Sequence, residues 1–382
     1  EYPAGPAPLG FQLPRLLIAV NEDFIRLSLN PKTAPHEEIY ATDAIRSYVS
    51  QQFYAPFLDV LTKSGGFVEY DVNENPDRRT TTGCSNVTQK PKPSLFVFAY
   101  DWRLAIEDNA DLLADYVGCV AKFYPGKKVN IVTHSMGGLV ARRYIIDHPN
   151  TVNKLITVAA PFLGSAKPMY QMIYGLLDTE LSLMGILKKS LYGTRVQDML
   201  AYYPGLHELM LSERYYALGG QSYTVVEGLI QAKAGIPVKQ VAYRDLMGPG
   251  GIVDKLFPNP SYNGKTPAKN NRDFHEYTSR DGNKQDDWSR DTTRVKYYHL
   301  FGVQKSNDTP LSLREGEEID LKNRAYAFLP VGPGDGTVPQ LSAERIVNKQ
   351  SINAPNARLF IYNTSDDKLL EHAGIMTNPA VL

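Results

Sequence analysis

The sequence predicts an α/β fold: a mostly parallel central sheet flanked by helices and interrupted by a large insertion. Three observations carry that prediction. Short apolar runs alternate with segments of helical periodicity over residues 95–159, the pattern of a parallel sheet with crossover helices. A serine, Ser135, stands at one strand-to-helix junction. Residues 165–295 then break the alternation, and two further strand-like runs restore it.

Taken in order, residues 1–15 hold four prolines and read as an irregular arm, followed by a short apolar run at Leu16–Val20. A helix is expected over Ser47–Lys63, where Phe53, Phe57, Leu58 and Leu61 recur on one face and Gly65-Gly66 would end it. Residues 71–93 carry turn formers and read as a loop. Leu95–Tyr100 (LFVFAY) has the continuous apolar character of a strand buried on both faces. Ile106, Ala110, Leu113, Val117, Val120 and Tyr124 are spaced by 4 and 3, which is one face of a helix. Val129–Thr133 reads as a second buried strand, Met136–Asp147 as a helix and Leu155–Ala159 as a third strand. Tyr297–Val303 and Arg358–Asn363 resume the sheet. The division is therefore 1–164 for the N-terminal part of the core, 165–295 for a cap or lid insertion, and 296–382 for the C-terminal part of the core.

Composition narrows the function classes. The 382 residues carry 41 Lys+Arg against 41 Asp+Glu, a balance that argues against a nucleic-acid partner. No apolar run approaches the ~18 residues of a membrane span. Two cysteines, Cys84 and Cys119, exclude a disulfide-rich scaffold and leave open either one bond or two thiols. No His/Asp cluster has metal-ligand spacing, so no metal or cofactor is expected. Sequons at Asn86, Asn307 and Asn363 are too short to weigh. The chain opens at Glu1 without a signal-like segment, which leaves the compartment unread; a soluble protein, extracytoplasmic or peripheral to a membrane, fits.

The strongest local signal is Thr133-His134-Ser135-Met136-Gly137-Gly138 between a predicted strand and a predicted helix. A serine at such a sharp turn takes a strained backbone that exposes Oγ, and small neighbours two positions away relieve the crowding. The following N–H, that of Met136, faces a developing oxyanion at the helix start. Thr133 departs from the G-x-S-x-G pattern, because it sits where the first glycine belongs. As an alternative, Ser135 would be only a helix N-cap.

A nucleophilic serine needs a base and an orienting carboxylate. Of the seven histidines, His372 follows the last predicted strand on a loop, whereas His299 lies inside a strand. For the carboxylate, Gly334-Asp335-Gly336-Thr337-Val338-Pro339 places Asp335 between glycines that permit a sharp turn, after one late strand and before His372. The order Ser135, Asp335, His372 is that of α/β-hydrolases.

At these residues the sequence resembles the lecithin:cholesterol acyltransferase-like family of α/β-hydrolases, in its bacterial type. The resemblance rests on Tyr100-Asp101-Trp102-Arg103, on His134–Gly138, on Ala160-Pro161-Phe162-Leu163-Gly164-Ser165, on the Asp335 motif and on the His372 loop. It implies a serine acyl-ester hydrolase or O-acyltransferase acting on phospholipid or neutral lipid esters through an acyl-enzyme on Ser135. The family's usual Pro-Gly and further Gly near the N-terminus, which supply a second oxyanion donor, have no clear match here. A catalytically silent fold that binds lipid or a partner is the alternative, motivated by that gap and by Thr133. Trp102, Tyr170 and Tyr174 are candidates for substrate contact. Seven tyrosines and five methionines gather between Met169 and Tyr216. They read either as the cap's own core or as an acyl tunnel and a transient membrane-contact surface.

Overall fold

The computed structural model describes residues 41, 43–48, 51–71, 87–174, 199–226, 238–289, 291–315, 330–344, 357–362, 370–379 and 381. The irregular arm, the Leu16–Val20 run, Cys84, Met184 and Tyr192 lie outside the described residues. Cys119 is disulfide-bonded.

Helix α1 covers Ala55–Asp59, α2 Ile106–Phe123, α3 Gly137–Asp147 and α4 Lys167–Tyr174. Strand β1 covers Val129–His134, β2 Val152–Val158, β3 Lys296–Gly302 and β4 Ala357–Tyr362. These strands form one parallel sheet in the order β4-β3-β2-β1. The register sets Thr133 opposite Thr157 and Thr157 opposite His299. With helices α2 and α3 packed together against the sheet core, this is the α/β-hydrolase arrangement. Among the described residues no helix is long and apolar enough to cross a membrane.

α2 buries Ile106, Ala110, Leu113, Val117 and Val120, the face that its spacing predicts, and the Ile, Leu and Val side chains contribute about 1.5–3 kcal/mol each. Its first N–H, that of Ile106, is capped by the buried Glu208 carboxylate from the insertion.

Three expectations need correction. The helix over 47–63 begins at Ala55, because Ser47–Tyr48 and Gln51–Gln52 pair as a short antiparallel hairpin and Pro56 sits at the helix start, where its missing N–H costs nothing. A π-helical turn then carries the chain to Gly65. Among the described residues the run at Leu95–Tyr100 is not a ladder strand; it makes a single bridge, Leu95 to Glu69. Its carbonyls find other donors: the Tyr116 hydroxyl donates to the Val97 oxygen at 3.0 Å. Its aromatic rings pack instead, Phe96 on Tyr70 and Phe123, and Phe98 on Tyr100 and Tyr116. Finally, β1 is not buried on both faces: its burial alternates and Val132 is 40% exposed, since β2 alone pairs with it among the described residues.

The insertion contains short helices and two strands, Tyr223–Val226 and Val238–Val241, which form a second sheet with Arg314–Glu315 from beyond the insertion. Met169, Met172, Met199 and Met210 pack there with Tyr170, Tyr203 and Tyr223 as a core of its own. The polar stretch at 259–294 packs against the core. Arg142 of α3, fully buried, pairs with Asp291 at 2.6 Å and donates to the Lys284 carbonyl at 2.8 Å and the Tyr297 hydroxyl at 3.0 Å. Its guanidinium lies 4.2 Å over the Trp288 ring. Phe274 and Trp288 join the same apolar cluster as α2 and α3, so this stretch is sutured to α3.

Candidate active site

β1 ends at His134, and Ser135 follows with φ of 51°, a left-handed conformation that costs a non-glycine residue roughly 1–3 kcal/mol. The turn is held from both sides: Ser135 N–H donates to the Val158 carbonyl at 2.9 Å, and Gly138 N–H donates to the Ser135 carbonyl at 2.9 Å. Gly138 is required by close approach, since a Cβ there would stand 2.5 Å from the Ala160 Cβ. The same absence of side chains explains Thr133. Its Cβ and hydroxyl occupy the space in front of Gly137 and Gly138, at 3.4 and 3.6 Å from where their Cβ atoms would be. The β-branched residue therefore fits the elbow without a first glycine, which removes one motive for the silent-fold alternative. Its Oγ1 is buried with no partner among the described residues.

Asp335 and His372 meet Ser135 above the C-terminal ends of the strands. Gly336 has φ of 82° and lets the loop fold back on its own carboxylate. Asp335 Oδ1 accepts from Thr337 N–H at 3.0 Å and Val338 N–H at 2.7 Å. Oδ2 is left for His372 Nδ1, at 2.8 Å. His372 Nε2 lies 2.7 Å from Ser135 Oγ. The backbones are joined too, with His372 N–H donating to the Asp335 carbonyl at 2.9 Å. Asp335 is 2% exposed, so this carboxylate faces protein donors rather than water. The three residues singled out from chain order thus form one hydrogen-bonded row.

Met136 is the N-cap of α3, where helix geometry leaves N–H groups without intrahelical acceptors. Arg103 pairs with Asp101 in a buried site, while Trp102 is 48% exposed and meets Tyr203 edge-on at 5.4 Å. Tyr170 is buried in the insertion core, apart from the serine row. Tyr174 ends α4, and its side chain is not among the described ones. His299 sits inside β3, fully buried, with Nδ1 2.6 Å from the Thr157 hydroxyl; burial lowers its pKa to about 3.

Sequence reasoning missed several neighbours. Ser165 Oγ donates to the Thr337 carbonyl at 2.6 Å, and Lys167 Nζ donates to Thr337 Oγ1 at 2.9 Å. Burial lowers the Lys167 pKa against the pull of Asp335, Glu371 and Asp308. The signal was there in part, because the Gly164-Ser165 motif and the Asp335 motif had both been singled out; their mutual contact was not readable. His134 and Tyr54 were also missed.

Residues 81–200, which hold the elbow, match the family model described as lecithin:cholesterol acyltransferase. Lecithin-cholesterol acyltransferase-like 4 of Arabidopsis thaliana is 26% identical over 285 residues, covering 65% of this chain and 49% of that protein. Phospholipase A(1) LCAT3 of the same plant is 37% identical over 84 residues, covering 20% of this chain and 18% of that protein. The chain therefore spans about half the length of the first relative and less of the second. The solved Tle4–Tli4 complex aligns with a TM-score of 0.44 and 18% identity, over 74% of this chain and 65% of that one. The parallel sheet and the serine elbow are those of the α/β-hydrolase fold, and over residues 81–200 the chain is similar to the lecithin:cholesterol acyltransferase family.

Proposed function

We propose that the protein is a serine-dependent hydrolase or O-acyltransferase of lipid esters, acting through an acyl-enzyme on Ser135. The observation that carries the reading is the row Asp335–His372–Ser135, at 2.8 and 2.7 Å. In this reading Asp335 accepts the Nδ1–H of His372, which leaves Nε2 free to take the Ser135 proton as Oγ attacks the ester carbonyl. The Met136 N–H is assigned to the tetrahedral oxyanion as one donor. Collapse expels the alcohol, which takes its proton from the His372 imidazolium. Water or an acceptor alcohol then resolves the acyl-enzyme by the same proton route. The lipid assignment is supported by the names of the relatives, a phospholipase A(1) and a lecithin-cholesterol acyltransferase-like protein. Among the aromatic candidates, the half-exposed Trp102 is the one we assign to substrate contact.

The test has two arms. A fluorophosphonate should label Ser135, and Ser135→Ala should abolish hydrolysis of a p-nitrophenyl ester. Mass spectrometry of mixed phospholipid and neutral-ester vesicles, with and without added alcohol, should show a free fatty acid or a new ester. Hydrolysis that persists in Ser135→Ala would overturn the serine mechanism, and an unchanged lipid profile with an active esterase would overturn the lipid assignment.

A further inference from the structure

The residue before the serine carries a side chain that acyl transfer does not use. His134 Nε2 lies 2.9 Å from the carbonyl oxygen of His372, and its Nδ1 lies 2.8 Å from the Tyr54 hydroxyl. A carbonyl can only accept, so Nε2 carries the proton and donates it. In the neutral ring Nδ1 is then a lone pair, which accepts the one proton that Tyr54 has to give. The His134 and His372 rings lie 5.0 Å apart, and Tyr54 meets His134 edge-on at 5.7 Å. Burial, and secondarily the proximity of His372, push the His134 pKa down to about 3, so the ring stays neutral wherever His372 can act as a base.

We infer that Tyr54 and His134 are positioning residues for His372: Tyr54 fixes the His134 tautomer, and His134 holds the His372 backbone by its carbonyl. The inference rests on the proposed role of His372 as the base. It follows from how His372 is fixed. Its N–H is tied to the Asp335 carbonyl at 2.9 Å, and its own carbonyl is tied to His134. Both peptide groups around its Cα are therefore pinned while the side chain bridges Asp335 and Ser135. Because His134 is covalently joined to Ser135, nucleophile and base share one anchor. Tyr54 extends that anchor to the segment entering α1, which packs with Phe57 on Ile375 and Met376 just beyond His372.

The chemistry of the two ring nitrogens makes a selective test. In Gln the amide nitrogen falls near the ε position and can still donate to the His372 carbonyl. In Asn it falls near the δ position and cannot reach. A misplacement on the order of 1 Å costs about 100-fold in rate, so His134→Leu and His134→Asn should each lower kcat roughly 10- to 100-fold, with KM held within about twofold. His134→Gln should recover to within roughly threefold of wild type, and Tyr54→Phe, which keeps the ring packing, should lose about 3- to 10-fold. The assay is p-nitrophenyl butyrate hydrolysis by the full chain, with a thermal melt on each variant and Ser135→Ala and His372→Ala as controls. If His134→Leu fails to fold, the Gln-against-Asn pair and Tyr54→Phe decide. Equal kcat for the Gln and Asn variants, or wild-type kcat in Tyr54→Phe and His134→Asn, would overturn the inference while dead controls leave the base reading intact. Activity surviving in His372→Ala would overturn the base reading and the inference with it.

Discussion

Asp335→Asn separates the proposed orienting role from simple charge. The two oxygens of Asp335 do different things: Oδ1 receives two N–H donors, from Thr337 at 3.0 Å and Val338 at 2.7 Å, and Oδ2 receives His372 Nδ1 at 2.8 Å. An asparagine has one oxygen, and only that oxygen can face the two N–H groups. Its amide nitrogen is then turned toward His372 and donates to Nδ1. The imidazole proton is displaced to Nε2, where it faces Ser135 Oγ, and the ring can no longer accept the serine proton. In serine enzymes of this type the wrong tautomer costs ~10⁴-fold in kcat, equivalent to about 5.5 kcal/mol of barrier. The loop keeps its hydrogen bonds, so stability should change by less than about 1 kcal/mol. Kinetics on a p-nitrophenyl ester, read beside a thermal melt, test both halves together. Raising the pH should not restore activity, because the defect is tautomeric. A variant that folds and keeps more than a tenth of wild-type kcat would refute the reasoning and require another group to orient His372.

Other expectations concern stability. Arg142→Met strands the buried Asp291 carboxylate and should cost about 3–5 kcal/mol in urea unfolding, whereas Arg142→Met with Asp291→Asn should cost less than the sum of the single changes; strict additivity would mean that the pair is not coupled. Glu208 is buried and its pKa is raised well above the ordinary range by desolvation, so its contribution is present while it is protonated and is lost as pH rises above that range. Glu208→Gln, which keeps an oxygen for Ile106 N–H, should therefore melt higher than wild type at pH 7, with the gap closing toward about pH 4; a gap independent of pH would contradict this. Thr133→Val replaces a buried, unpartnered hydroxyl with a methyl group of the same shape and should stabilise by about 1 kcal/mol; a loss on denaturant titration would show that the hydroxyl is paired.

What was legible in the sequence was whatever repeats along the chain or is constrained by local sterics. α2 announced itself because nine of its positions are buried and they recur at helical spacing. Ser135, Asp335 and His372 were findable because each sits at an element junction with small or turn-forming neighbours, and the order of those junctions is limited. Leu95–Tyr100 misled for a physical reason: apolarity reports burial, not ladder pairing, and here the Tyr116 hydroxyl, rather than a neighbouring strand, meets the Val97 carbonyl. The polar stretch at 259–294 gave no sign of its burial. Its Asp291 and Asn283 are buried because partners elsewhere in the chain, or across a turn, remove the cost of taking them from water. Pairings at such sequence distance, like that of Arg142 with Asp291 or His134 with His372, leave no periodic trace.

The arrangement around Asp335 shows why a short acidic side chain belongs at this place. The carboxylate must reach back to the N–H groups of the second and third residues after it, which a side chain of Asp length does by closing a turn on its own backbone. One more methylene would carry the carboxylate beyond those donors. With Oδ1 committed to shaping the loop, the direction of Oδ2 is no longer free; it is set by Gly336 at φ of 82° and by the Asp335 carbonyl holding His372 N–H. The loop is fixed in turn from the other side of the site, through Ser165 and Lys167 on Thr337. In the proposed mechanism, the bond to His372 therefore needs little reorganisation when the imidazole becomes charged. The same groups that stabilise the fold pre-align the carboxylate, so a substitution at Ser165 acts on the serine row through the position of Thr337, and one at Lys167 through Thr337 and through its charge facing Asp335.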